Sequence, residues 1–281
     1  MRHIGTLAMA LALALAARAC LAAEPAAKEA PKLNVFVTIL PQQTFVERIG
    51  GEHVNCGVLV GFGQSPHTFE PTPKQMTDLA RARLFFALSW PFEKRLLAKT
   101  TAANPNLKVI DTRAGVPLRT MAADELDPDE PGQKAGEPDP HIWTSPRLVR
   151  IQAATIERAL AAEDPAHAAD YEKNLRAFQE DLDRVDAKIA KALAPLKGKA
   201  IFVYHPAFGY FADAYGLKQV PVEVEGKEPS ARHLGAFIER AKAATAVAEA
   251  IGGAVVPLDD LAPNYLENLQ VMAEKIQKAL Q

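Results

Sequence analysis

The chain has 281 residues, with 32 Lys and Arg against 34 Asp and Glu and a formal net charge of -2. Near-neutral charge argues against a nucleic-acid partner, which calls for a basic face. Apolar residues make up 48% of the chain, enough for a sizeable core in one large domain or two modest ones.

The chain opens with a short polar start at Arg2 and His3, then an Ala/Leu/Met run from Leu7 to Ala17, then small residues from Ala19 to Ala23. Residues 1–23 read as a secretory signal peptide. The run is too short, and wrongly flanked, for a spanning helix. This predicts a periplasmic protein. A lipid anchor at Cys20 is the weaker alternative, because Ala17-Arg18-Ala19 is a poor match to a lipidation signal. Without the signal, Cys56 stands alone, so no intrachain disulfide can form. It reads as a small apolar strand residue. Residues 24–32, rich in Ala, Pro, Lys and Glu, read as a flexible tether.

From Leu33 onward strands and helices alternate. Strands are expected at 33–39, 54–60, 84–88 and 108–110, and helices at 41–49, from Thr72-Pro73, and at 91–101. Thr72 is placed as an N-cap, with Pro73 in the first turn and Gln75 completing a capping box. Residues 122–139 are rich in Asp, Glu, Pro and Gly, lack apolar periodicity and read as an acidic surface loop. A helix follows Ser145-Pro146. A long one then starts at Asp164-Pro165, with Tyr171, Leu175, Phe178, Leu182, Val185, Ile189 and Leu193 on one face. About 30 residues at 1.5 Å each would span about 45 Å, enough to bridge two lobes. Beyond it, strands are expected at 200–204, 219–223 and 254–258, and helices at 207–215, from Ser230, and from near Pro263.

This alternation predicts an α/β fold of parallel sheets flanked by helices. The expected division is an N-terminal lobe at 33–163, a linking helix at 164–196 and a C-terminal lobe at 197–281.

Three histidines share a local setting. His67 follows Ser65-Pro66, His141 follows Asp139-Pro140, and His205 precedes Pro206. His67 and His205 fall in segments following strands, where open α/β sheets place ligands. The adjacent prolines stiffen the backbone and so hold the imidazoles in a fixed array. Three imidazoles suit Zn²⁺, and an oxygen ligand would complete a tetrahedron. Asp259 is the candidate and Asp260 the fallback. His53, His167 and His233 lie in ordinary polar settings.

The motifs His67-Thr68-Phe69-Glu70-Pro71-Thr72-Pro73, Asp139-Pro140-His141-Ile142-Trp143 and His205-Pro206-Ala207-Phe208-Gly209-Tyr210 resemble those of the substrate-binding proteins of bacterial ABC importers for zinc and manganese. Glu228-Pro229-Ser230 and Val256-Pro257-Leu258-Asp259 add to the resemblance. It implies two α/β lobes joined by one rigid helix, with the metal in the cleft on His67, His141, His205 and Asp259. It further implies a monomeric receptor that hands the ion to a membrane permease and has no catalytic step. Histidine at the third ligand position resembles the zinc members, with Mn²⁺ as the second option. The chain departs from the family near Ala244, where the helix from Ser230 runs on with no strand, so the C-terminal lobe is expected to be shortened there. One alternative is a zinc hydrolase using three histidines and a water, with Glu70 as base. Another is a surface adhesin.

Overall fold

The computed structural model describes residues 31–66, 68–121, 136–203, 205–221 and 254–280. The signal segment, Cys20, the helix from Ser230, the region around Ala244, His233 and His67 lie outside the described residues. Four strands follow the expected places: β1 (Leu33–Ile39), β2 (Val54–Val60), β3 (Leu84–Ala87) and β4 (Lys108–Asp111). They form one parallel sheet in the order β2-β1-β3-β4. Parallel neighbours need crossover connections, here the helices α1 (Leu40–Gly50), α2 (Pro73–Leu79) and α3 (Pro91–Ala103). The central strands are mostly apolar, with Asn34 and Thr38 the polar members of β1, and Val35 to Ile39 and Leu84 to Ala87 are buried, as expected of strands covered on both faces. Cys56 sits within β2, partly buried, and burial pushes its thiol pKa up. That fits its reading as a packing residue.

The capping box at α2 forms as expected. The Thr72 hydroxyl accepts from the Gln75 amide at 3.2 Å, and the Gln75 side chain accepts from the Thr72 amide at 3.0 Å. Helix α4 (Pro146–Glu163) leads through a 3₁₀ turn at Pro165–His167 into α5 (Ala168–Leu193). The stripe along α5 is buried at Tyr171, Phe178, Leu182, Val185, Ile189 and Leu193, with Leu175 partly so. Its 26 residues span about 39 Å. Phe45 of α1 lies 5.9 Å from Phe178 and 4.8 Å from Tyr265 of α7 (Tyr265–Leu280) between ring centroids, so α1, α5 and α7 meet in one aromatic cluster. A second parallel pair joins β5 (Ala200–Val203) to β6 (Lys218–Pro221), connected by α6 (Gly209–Tyr215). Gly216 ends α6 in the left-handed region at φ 74°, which favours glycine.

One expectation fails. Residues 254–258 form no strand. Pro257 has no N–H for a ladder, and its carbonyl instead accepts from Lys275 of α7 at 2.7 Å. Of the expected acidic loop at 122–139, residues 122–135 lie outside the described residues. Residues 119–121 and 136–139 run antiparallel, with a bridge between Thr120 and Pro138. Bonds from Met121 N to Glu137 O and from Asp139 N to Arg119 O, both 2.9 Å, hold the pair together. His53 and His167 lie in polar settings, each beside a carboxylate. Their rings stack at 3.8 Å, His53 beside Asp170 and His167 beside Asp164, and this pins the start of β2 to the α4–α5 junction.

Candidate metal centre

Two of the candidate residues, His141 and His205, meet beyond the carboxyl ends of the strands, where a parallel sheet leaves its loops free to build a site. A buried polar network organises that edge. Glu93, in the first turn of α3, accepts from the Thr38 hydroxyl of β1, from the Leu88 amide at 3.1 Å and from the Trp90 amide at 3.0 Å. Burial pushes the Glu93 carboxyl pKa up, against the lowering effect of these bonds. They fix the 88–90 turn and hence the Trp90 ring. Trp90 stands 6.2 Å from the His141 ring, and Trp143 stands 5.1 Å from it on another side.

His141 is fully buried. Its Nδ1 lies 2.8 Å from Asp139 Oδ1, which also accepts the His141 amide at 2.9 Å. Burial would raise the Asp139 carboxyl, but the His141 ring and amide and the Arg119 guanidinium outweigh it and hold it below the usual carboxylate range. Asp139 Oδ1 sits as an acceptor beside Nδ1, so in the neutral imidazole the proton belongs on Nδ1 and Nε2 presents the lone pair. That lone pair faces His205, with Nε2 to Nε2 at 3.1 Å. Two nitrogens bound at 2.0–2.1 Å to a tetrahedral zinc stand about 3.3 Å apart. The two imidazoles are spaced nearly as one ion requires.

His205 lies two residues beyond β5, in a turn closed by Ala207 N to His205 O at 2.8 Å and stiffened by Pro206. Asp259 is exposed. Its carboxylate accepts the Leu261 amide at 2.9 Å, and its carbonyl accepts from Asn268 at 2.5 Å. The next residue reaches the site's wall, for the Trp143 indole N–H donates to the Asp260 carbonyl at 2.8 Å. Among the described residues no three His, Cys, Asp or Glu side chains form a metal-holding group. His141 and His205 are brought together, and Asp259 stays with its own turn. Glu70 is exposed, two residues ahead of the Thr72 cap.

Residues that sequence reasoning missed surround Asp139. Arg119 Nη1 donates to Asp139 Oδ2 at 2.8 Å. The Tyr210 hydroxyl accepts from the Arg119 amide at 3.0 Å and donates to the Asp139 carbonyl at 2.9 Å. No local motif marks these partners, and only the Tyr210 position fell within a quoted motif.

The family model of the periplasmic zinc-uptake complex component A, ZnuA, matches residues 35–279. The chain belongs to this family. The zinc-binding lipoprotein AdcA of Streptococcus pneumoniae serotype 4 is 31% identical over 219 residues, covering 75% of this chain and 43% of AdcA. The high-affinity zinc uptake system protein ZnuA of Bacillus subtilis is 28% identical over 216 residues, covering 75% of this chain and 68% of that protein. The chain thus spans less than half the length of AdcA. A crystal structure of ZnuA is similar at a TM-score of 0.74 and 38% identity, covering 89% of this chain and 100% of that one. The Zn(II)-bound ZnuA-like domain of Streptococcus pneumoniae AdcA gives a TM-score of 0.68 at 26% identity, covering 89% and 99%.

Proposed function

We propose that this protein is an extracytoplasmic zinc receptor, located in the periplasm, that delivers its ion to the permease of an ABC importer. The observation that carries this reading is the 3.1 Å approach of His141 Nε2 to His205 Nε2, with His141 held as an Nδ1–H tautomer by Asp139. His67 is the third ligand in this reading, and Asp259, or its neighbour Asp260, is the fourth. Two lobes, 33–163 and 197–281, face each other across the helix 164–196, and the receptor acts as a monomer with no catalytic step. The ion is cargo: neutral imidazoles and a carboxylate replace its water, and nothing is turned over.

Zinc is the expected cargo over manganese, because imidazole-rich donor sets favour Zn²⁺ and the harder Mn²⁺ favours oxygen. The manganese-binding relatives named PsaA, at 29% identity in Streptococcus pneumoniae, make the comparison worth testing directly. Competition titration with a chromophoric chelator should give one Zn²⁺ per chain and weaker Mn²⁺ binding. Equal affinity for the two ions, or no zinc binding, would overturn the reading.

A further inference from the structure

The metal-receptor reading leaves open what sets the distance between histidines from two distant segments of chain, and the surroundings of Asp139 supply an answer. Arg119 reaches three ways. Its Nη1 pairs with Asp139 Oδ2 at 2.8 Å, its Nε pairs with Asp213 of α6 at 3.1 Å, and its amide donates to the Tyr210 hydroxyl at 3.0 Å. The guanidinium carbon also stands 5.9 Å from the centroid of the Tyr210 ring. The Tyr210 hydroxyl donates its hydrogen bond to the Asp139 carbonyl at 2.9 Å. Asp139 and Tyr210 are buried, so the inner half of this junction is shielded from water, while Asp213 at its outer end is exposed.

Gly209 makes the junction possible. A Cβ there would collide with Arg119 Nη1 and Cζ and would press on Asp139 Oδ2 at 3.0 Å. The first residue of α6 must therefore lack a side chain for the guanidinium to lie across the backbone. Helix α6 begins four residues after His205, and the Phe208 amide is held by Gln219 Oε1 at 2.7 Å. Any shift of α6 relative to Asp139 therefore moves the short stiff turn that carries His205. Arg119 itself is fixed on the other side by the antiparallel pairing of 119–121 with 136–139.

We propose that Arg119 and Tyr210 are positioning residues that latch α6 to the Asp139–His141 segment and thereby preset the His141–His205 spacing for the ion. Neither touches the ion; both act through Asp139 and through the turn after His205. The proposal rests on the zinc-receptor reading, and its test separates the two.

The probes are Zn²⁺, by chelator competition, and Co²⁺, by its visible absorption, on the whole chain. Tyr210→Phe removes one oxygen atom and leaves the ring packed. It is expected to weaken Zn²⁺ binding about 10- to 100-fold, the range for loss of an outer-shell partner, and to alter the intensity and position of the Co²⁺ bands. Arg119→Met is expected to do the same, with partial recovery in Arg119→Lys, which can pair with Asp139 but cannot also reach Asp213. Tyr210→Phe carries the test if Arg119→Met fails to fold. Wild-type zinc affinity and an unchanged cobalt spectrum in Tyr210→Phe would overturn the latch. If His141→Ala and His205→Ala abolish binding in the same assay, the receptor reading survives that loss. If those two variants bind zinc like the wild type, the receptor reading itself fails.

Discussion

At the scale of single residues, the features that matter are carboxylates that fix imidazoles. Asp139 fixes the tautomer of His141 at 2.8 Å, and the same chemistry recurs away from the site at Asp164. The Asp164 carboxylate accepts the Tyr171 hydroxyl at 2.7 Å and faces His167 Nδ1 at 2.6 Å. Partial burial would raise its pKa, but those partners outweigh burial and lower it. A carboxyl whose folded value is depressed adds stability above its unfolded value, near 4, and loses that stability as pH falls through the lower folded value. Asp164→Asn is therefore expected to cost about 1–2 kcal/mol at pH 7. Urea denaturation should show the gap to wild type closing as pH falls below about 4. A gap that stays constant down to pH 2 would contradict this origin. Zinc affinity should fall with pH as well, because protons compete for the imidazole nitrogens that hold the ion.

At the scale of elements, the decisive contact is the start of α6 against Arg119. Gly209→Ala places a methyl group where the guanidinium lies. The expected loss of stability is about 1–3 kcal/mol, the usual cost of overpacking. A shift of the urea midpoint without a change of slope would report it. Helices and strands were largely legible in the sequence, because their signals are local. The Thr72-Pro73-Gln75 cap, the α5 stripe and the apolar strands each state their own structure. The pairing of 119–121 with 136–139 was not legible. Its arms are short, polar and broken by Pro138 and Gly136, so they carry no alternation to read. Residues 254–258 misled in the other direction, since a Val-rich run before Pro257 looks like a strand while its bonding partner is α7.

At the scale of the molecule, Leu33–Gln281 forms one compact unit through which α5 runs for about 39 Å. A continuous helix bends far less than a flexible linker, so ion capture should change the overall dimensions little. Small-angle scattering should give a radius of gyration near about 18 Å with and without zinc, the value for a compact unit of this length. A large contraction on adding zinc would point to a hinge instead. The site was only half legible at this scale. The motifs name His141 and His205, but they do not name Arg119, which meets Tyr210 across a separation of 91 residues. Asp259 was read as ending a strand at 254–258 that does not form, and its carboxylate accepts the Leu261 amide in its own turn.

The central claim is that His141 and His205 share one ion. Its most direct test is calorimetric titration of zinc into chelator-stripped protein, wild type beside His141→Ala and His205→Ala. The expected result is one zinc per wild-type chain and a loss of affinity in each variant well beyond the roughly 100-fold ceiling for an outer-shell change. Wild-type isotherms in both variants would contradict it.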